Sequence, residues 1–151
     1  MSHVASVDLE VTDLVALKKA CAEMGLTYME GQTTYKWYGR FMNDYQGADA
    51  AFLHGMNPKD YGKCAHAIRM KGYQEGDYEL GVVKMPNGNY RLIYDFFGNG
   101  RKIADQLGKG CERMKQIYGI TKAQMIAKLK GHMTQRKTMP NGSLKLVVIG
   151  V

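Results

Sequence analysis

Aromatic and basic side chains are concentrated in the segment TTYKWYGRFMNDYQG, residues 33–47. The side chains concerned are those of Tyr35, Lys36, Trp37, Tyr38, Arg40 and Tyr45. A tyrosine ring can stack on the face of a base while neighbouring cations bind phosphate groups. The segment therefore predicts one of two structures: a buried strand with its exit loop, or a surface that holds a flat, negatively charged ligand.

A strand over residues 33–38 would separate these side chains, because successive side chains of a strand point to opposite faces. Tyr35 and Trp37 share the face that we expect to be buried. The opposite face carries the candidate ligand-binding residues Lys36, Tyr38 and Arg40. Gly39 would let the backbone come close to a bound group, since glycine has no Cβ. We therefore expect this second face, with Gly39, to meet the ligand.

A second basic face lies on the strand predicted over residues 63–70. Arg69 and Lys71 fall on the side of this strand that points away from His66. If that side coincides with the face that carries Lys36, the two strands form one basic and aromatic patch. We therefore include Arg69 and Lys71 among the candidate ligand-binding residues.

Charge is distributed unevenly along the chain. Residues 1–100 hold ten Lys/Arg and twelve Asp/Glu, whereas residues 101–151 hold eleven Lys/Arg and two Asp/Glu, a net charge of +9. This asymmetry favours an anionic partner, which could be nucleic acid, a nucleotide or an acidic protein surface. A solvated helix face in a basic protein would give the same pattern. The helix predicted over 101–118 places three further candidate ligand-binding residues opposite its apolar stripe: Lys102, Lys109 and Arg113.

Cys64 and His66 are the strongest candidates for reaction chemistry. Two residues apart on one strand, they could share a metal ion or form a nucleophile and its base. Ile68 continues the same face, which favours burial in the core instead. The chain contains no phosphate loop, GxGxxG, HExxH, GxSxG or EF-hand pattern, and its carboxylates are scattered. We therefore predict a protein that is not an enzyme, with no catalytic residues, no metal ligands and no cofactor.

Hydrophobic periodicity predicts the element order β-α-β-β-loop-β-β-β-α-β-β. Strands are predicted over residues 3–11, 26–30, 33–38, 63–70, 77–84, 89–97, 132–138 and 143–149. Helices are predicted from a cap at Thr12 or Asp13 to Gly25, over 101–118, and from 120 to Gly131 after an interruption at Gly119. Two MPNG turns join strands into hairpins. The expected fold is α+β: a single two-layer domain over residues 1–151, with a mainly antiparallel sheet and helices packed on one face.

Length and composition exclude several classes of protein. The chain has 151 residues, of which 45% are hydrophobic, and this suits one globular domain. No apolar run approaches the ~20 residues of a membrane-spanning helix, and the first residues lack a signal-peptide pattern. The three cysteines suggest neither a disulfide framework nor a CxxC site. We therefore predict a cytoplasmic protein without a membrane partner.

Five stretches carry a resemblance to a known family: MSHVASVDLEVTDLVALKKAC, TYKWYGR, YGKCAHAI, YELGVV and NGSLKLVV. Over nearly its whole length the chain resembles a family of small proteins of unknown function. Members occur in cyanobacteria, in algal plastid genomes as a conserved plastid reading frame, and in bacteriophages. The resemblance implies no enzymatic activity, and the position of some bacterial members beside an AAA-type ATPase implies an accessory role. The resemblance singles out six residues without assigning them a role: Trp37, Tyr38, Gly39, Arg40, Cys64 and His66.

Three functional hypotheses follow. The first is a non-enzymatic binding protein for an anionic ligand, either a nucleotide-type small molecule or nucleic acid; encoded by a phage, it could sequester a host nucleotide signal. The second is an adaptor that binds an acidic protein partner, such as an AAA-type ATPase, through the helices of residues 101–130. The third is a small hydrolase or metal enzyme that uses Cys64 and His66. A homo-oligomer is compatible with all three.

Overall fold

The computed structural model describes residues 4–37, 62–96 and 98–149, and these form a five-stranded sheet, three α-helices and a separate two-stranded ribbon. The strands of the sheet are β1 (Val4–Val11), β2 (Leu26–Met29), β3 (His66–Met70), β4 (Leu80–Lys84) and β5 (Tyr90–Asp95). They are hydrogen-bonded in the order β1-β5-β4-β3-β2, and every neighbouring pair is antiparallel. The predicted α+β fold is confirmed.

The α-helices of the described residues are α1 (Leu14–Glu23), α2 (Arg101–Leu107) and α3 (Glu112–Leu129). Asp13 precedes helix α1, and its Oδ1 accepts hydrogen bonds from the N–H groups of Val15 (2.9 Å) and Ala16 (3.1 Å). This cap satisfies two donors that have no partner within the helix. Asp13 is therefore the cap. Among the described residues, no helix is both long enough and apolar enough to cross a membrane.

Both MPNG turns close antiparallel hairpins, as predicted. In each turn the N–H of the methionine donates to a carbonyl four residues later at 2.8 Å, from Met85 to Asn89 and from Met139 to Ser143. The turn glycines have φ values of 87° and 84°, a region that glycine adopts without a Cβ clash. The first turn joins β4 to β5. The second joins the two strands of the ribbon, β6 (Met133–Thr138) and β7 (Leu144–Ile149).

The helices cover one face of the sheet, and the main core lies between the helices and this face. Alternate side chains of neighbouring strands point to this face, because the strand period is two residues. Burial of a large aliphatic side chain stabilises a fold by ~1.5–3 kcal/mol, so this contact holds the two layers together. The core side chains less than 2% exposed include Leu17, Met24, Ile68, Leu80, Leu92, Ile103, Leu107 and Met114.

Residues 32–37 cross the opposite face of the sheet, and we call them the strap. The strand predicted over 33–38 is wrong for the described part of that range, where β-pairing is limited to a bridge between Thr34 and Lys63. A segment without a hydrogen-bond ladder needs other partners for its backbone groups. Some of these partners are backbone groups: the N–H of Tyr35 donates to the carbonyl of Gly62 at 2.9 Å, and the carbonyl of Lys36 accepts from the N–H of Glu79 at 2.8 Å. Side-chain contacts supply the rest of the attachment to the sheet.

The ring of Tyr35 fixes the strap by lying directly on the sheet. Tyr35 is buried, as predicted, and packs in a strap-side cluster with Ala67 and Ile93. A Cβ on Gly81 would fall 2.4 Å from the ring, so only glycine leaves room for it. Trp37 packs against the same cluster but is only half-buried.

The carboxylate of Glu79 anchors the strap to β3. Glu79 is 2% exposed. Its Oε1 accepts from the N–H of Lys36 at 2.9 Å, and its Oε2 accepts from Nε of Arg69 at 3.0 Å. Nε2 of Gln32 lies 3.1 Å from both oxygens. These partners matter because removal of a charge from water costs several kcal/mol unless the charge is paired and hydrogen-bonded.

The helix predicted over 101–118 is broken between α2 and α3. Gly108 and Gly110 have φ values of 85° and 62°, and Cys111 follows with a φ of 60°. Positive φ cannot continue a right-handed helix, so the chain changes direction here. The predicted interruption at Gly119 is wrong, since α3 runs through that residue. An exposed glycine in a helix costs only ~1 kcal/mol relative to alanine, which the packing of α3 outweighs.

The Glu79 network predicts a large effect on stability. Glu79→Ala removes a buried acceptor from Arg69, from Gln32 and from the strap backbone, so the free energy of unfolding should fall by ~3 kcal/mol. Urea denaturation measures this loss, and hydrogen exchange at the Lys36 amide should accelerate. Glu75→Ala changes an exposed carboxylate four residues away and should leave both unchanged. Equal stability of the two variants would contradict the anchoring role.

Candidate anion-binding groove

Three of the predicted ligand-binding residues, Tyr38, Gly39 and Arg40, lie outside the described residues. That they face a ligand therefore stays a prediction. Lys36, from the same stretch, lies on the strap and is exposed. Its backbone N–H donates to Glu79, so its position is fixed by the strap anchor whatever its ammonium group binds.

The guanidinium group of Arg69 is already paired on the strap side of the sheet. Its Nη2 lies 2.8 Å from Oε2 of Glu79 and donates to Oε1 of Gln32 at 3.2 Å. Its charged centre also lies 4.1 Å from the centroid of the Tyr73 ring. In this position Arg69 stabilises the strap. Lys71 is exposed on the turn after β3.

Lys102 pairs with a carboxylate away from the other two predicted helix cations. Its Nζ lies 3.1 Å from Oδ1 of Asp77. The backbone N–H of Gln74 and the side chain of Lys102 hold the pKa of Asp77 below its ordinary value. The carboxylate is therefore ionised at neutral pH, and it offsets the charge of Lys102. Lys102 does not line the groove that contains the other two cations.

Lys109 and Arg113 line one groove of about 530 Å³. The groove lies between the α2–α3 connection and the tip of the ribbon, two parts of the chain that are distant in sequence. The remaining lining residues are Gly108, Glu112, Gln116, Asn141, Gly142 and Ser143. Two cations against one carboxylate give the groove a net positive charge. The structure thus brings two of the predicted ligand-binding residues together.

Cys111 adopts a left-handed conformation next to Glu112, one of the residues that line the groove. A φ of 60° is uncommon for a residue other than glycine and costs ~1–3 kcal/mol. The N–H of Cys111 donates to the carbonyl of Gly108 at 2.9 Å, and its buried thiol lies 3.2 Å from the hydroxyl of Tyr94. Helix α3 follows without a side-chain cap. The N–H of Glu112 donates to the carbonyl of Lys109 in the preceding turn. The positive end of the α3 dipole adds positive potential beside the two cations.

The ribbon tip supplies the opposite wall. Oδ1 of Asn141 accepts hydrogen bonds from the backbone N–H of Ser143 at 3.0 Å and from its hydroxyl at 2.6 Å. A side chain that bonds to the backbone two residues later stabilises a tight turn. The same turn chemistry that closes the hairpin therefore orients the polar groups of this wall.

A second cavity of about 400 Å³ adjoins the groove, because Gly108 and Lys109 line both. We call it the Phe96 cavity. Phe96 is 41% exposed, and its ring centroid lies 6.3 Å from that of Tyr94. The other lining residues are Tyr94, Ala104, Asp105 and Gly110. An exposed ring beside a cationic groove is the combination predicted for the opening segment, formed here by different residues.

Cys64 and His66 lie on opposite faces of the sheet. His66 pairs with Val82, a residue of the main core, and its Nδ1 accepts from the N–H of Gly31 at 2.9 Å. Cys64 packs in the strap-side cluster. The chain bends at Ala65 before β3 begins, so the prediction that the two share a face is wrong. Within the described ranges, no group of three or more His, Cys, Asp or Glu side chains is arranged to hold a metal ion.

Sequence reasoning missed the side chain that docks the ribbon. The guanidinium group of Arg136 donates to Oε1 of Gln124 at 2.7 Å and to Oγ1 of Thr121 at 3.2 Å, and it pairs with Glu23. These contacts hold the ribbon against α1 and α3, which places its tip at the groove. Strand alternation predicts the face of the ribbon on which Arg136 lies, but it does not predict which helix packs against that face. The sequence therefore contains only a weak signal for this contact.

No protein-family model matches the chain, and no curated protein or solved structure is detectably similar to it. The proposals below therefore rest on the residues and geometry of this chain alone. The family resemblance stays a prediction from the motifs that carry it.

The environment of Cys64 predicts low reactivity. Burial, together with the nearby carboxylate of Glu79, raises the pKa of its thiol to about 12. At pH 8 only about one thiol in 10⁴ would be the reactive thiolate. Iodoacetamide at pH 8 should therefore leave Cys64 unmodified in the native protein and alkylate it in urea, as peptide mass spectrometry would show. Rapid alkylation of the native thiol would return Cys64 to consideration as a nucleophile.

Proposed function

We propose that the protein binds a phosphate-bearing anion, and that the groove lined by Lys109 and Arg113 is the binding site. The observation that carries this proposal is the convergence of both cations, the start of α3 and the ribbon tip on one concave surface. A concave surface lets several donors reach one ligand at once. Its volume of about 530 Å³ lies within the range of small-molecule sites.

The electrostatics of the groove support an anion. Neither Lys109 nor Arg113 forms an ion pair within the described residues. The arginine can offer two parallel donors to two oxygens, and the lysine can add a compact charge. Glu112 opposes them, but it lies in the first turn of α3, where the helix dipole favours a carboxylate. The basic C-terminal part of the chain adds a long-range attraction for anions.

Binding fits this lining better than a reaction. A serine nucleophile needs a base within hydrogen-bond reach. The hydroxyl of Ser143 is bonded instead to the amide oxygen of Asn141. Among its described lining residues, the groove contains neither histidine nor cysteine. We therefore propose a non-enzymatic role for this site.

A charge reversal in the groove tests the proposal. Inorganic pyrophosphate, the probe, should bind the unaltered protein, and the double variant K109E/R113E should bind it about 100-fold more weakly or worse, since two charge-assisted contacts become repulsions. Isothermal titration calorimetry measures both affinities. Higher salt should weaken the wild-type binding, because the partly exposed charges are screened.

A matched control uses the far end of the same helix. The double variant K128E/K130E changes the net charge by the same amount, but these exposed lysines lie at the C-terminal end of α3. Eighteen helical residues span about 27 Å, so this variant should bind pyrophosphate normally. An equal loss of pyrophosphate affinity in the two variants would mean that binding depends on net charge alone, and it would rule out the groove as a specific site.

The adaptor hypothesis remains a second candidate, because apolar side chains are exposed where α3 ends and the ribbon begins. Leu129 is 88% exposed. Exposed apolar groups in one region are characteristic of protein-binding surfaces. We call this the apolar patch, and its members are Ile126, Leu129, Met133 and Ile149.

Cations beside the apolar patch favour an acidic partner protein. Lys128 and Lys130 flank Leu129 in sequence. On the ribbon, Lys137 lies directly opposite Lys145, and both are exposed. Like charges opposite each other destabilise a strand pair, and an anionic partner would remove that cost. We propose that an acidic protein surface with an apolar centre binds here.

A defined peptide tests the second candidate. A fluorescent amphipathic peptide of leucine and glutamate should bind the unaltered protein. Two variants should each weaken binding at least about tenfold. Leu129→Glu removes an apolar contact, and K128E/K130E removes the attraction between opposite charges. The groove variant K109E/R113E should bind the peptide normally. Concentration-dependent dimerisation that Leu129→Glu abolishes would instead assign the apolar patch to a second copy of the chain.

A further inference from the structure

We propose that the ligand of the groove is a nucleoside phosphate, with its base in the Phe96 cavity and its phosphate groups between Lys109 and Arg113. This inference rests on the proposed function of the groove and specifies its ligand class. The observation behind it is the adjacency of the two cavities, since Gly108 and Lys109 line both. A ligand with a flat apolar end and an anionic end matches such a pair.

The Phe96 cavity suits the flat end. Phe96 is 41% exposed, so part of its side-chain surface lies in contact with solvent at this cavity. Tyr94, with its ring centroid 6.3 Å away, lies at the same cavity and supports this position. An exposed aromatic ring offers the face of a base about 1–3 kcal/mol of stacking, largely independent of which base it is.

The distribution of charge determines which end of the ligand lies in which cavity. Among the described residues that line the Phe96 cavity, the carboxylate of Asp105 opposes one cation, Lys109. In the groove Arg113 joins Lys109 against Glu112, and the start of α3 adds positive potential. Phosphate is therefore favoured in the groove. Asp105 repels phosphate but can accept a hydrogen bond from an N–H group of a base.

The α2–α3 connection contributes backbone without a side chain to the lining of both cavities at Gly108, and to that of the Phe96 cavity at Gly110. Gly108 lines both cavities, and a Cβ there would fall 3.0 Å from the Cβ of Arg113. Gly110 lines the Phe96 cavity and has open space at the position of a Cβ. A ribose joining base to phosphate can therefore lie against backbone at this point.

Substitutions at Phe96 test the inference, with ADP and inorganic pyrophosphate as probes in calorimetric titrations. Phe96→Ala should weaken ADP binding roughly 5- to 100-fold and leave pyrophosphate binding unchanged. Phe96→Trp should retain ADP affinity, and its added fluorescence should be quenched by ADP but not by pyrophosphate. Thermal melting of each variant confirms that it is folded.

The outcomes separate the inference from the proposed function. Equal affinity for ADP and pyrophosphate, with no effect of Phe96→Ala, would overturn the nucleoside phosphate and retain the anion groove. If neither ADP nor pyrophosphate binds, both the nucleoside phosphate and the anion groove are overturned. A ten-nucleotide single-stranded RNA forms a third arm. If the RNA binds more tightly than ADP, and Phe96→Ala weakens both to the same extent, the base site is supported and the natural ligand is a nucleotide within single-stranded nucleic acid.

Discussion

The carboxylate of Glu79, buried between the sheet and the strap, is the interaction on which this fold depends most. The helix-covered face is held by apolar contacts, which are non-directional. The other face is crossed by a strap whose described part has no continuous ladder, so its position depends on directed hydrogen bonds. Gln32, Lys36 and Arg69 supply these bonds to one carboxylate. Any other placement of the strap would remove the donors of Gln32 and Lys36 and leave the buried carboxylate with Arg69 alone, and this cost favours the observed arrangement.

The candidate site depends on two further constraints at the other end of the molecule. Positive φ angles at the α2–α3 connection end α2 and start α3 in a new direction, which exposes the first turn of α3 beside Lys109 and Arg113. Arg136 then docks the ribbon on α3, so that the ribbon tip faces this connection. The first constraint also places Cys111 in the main core. Together they form a concave surface from parts of the chain that are distant in sequence.

Two groups of basic residues in the described part of the chain have different physical roles. Arg69, Lys102 and Arg136 each lie against a carboxylate, and their charges stabilise internal contacts. Lys109 and Arg113 have no such partner among the described residues, although they lie in the same excess of positive charge. Net charge alone therefore does not identify a binding site. The cations that matter for a ligand are those that the fold leaves unneutralised on a concave surface.

By itself the sequence determined the local elements: a helix cap at Thr12 or Asp13, the hairpin turns and the strand alternation, all of which depend on residues close in the chain. It also predicted the burial of Tyr35, although that burial depends on contacts with distant residues of the sheet. It also identified Lys109 and Arg113 as exposed cations of one helical pattern. It misplaced the helix break, because a glycine can either end a helix or be carried through it by packing. Only the tertiary structure separated Cys64 from His66 and brought Phe96 beside Lys109. Such placements depend on contacts between distant residues, whose geometry no local pattern encodes.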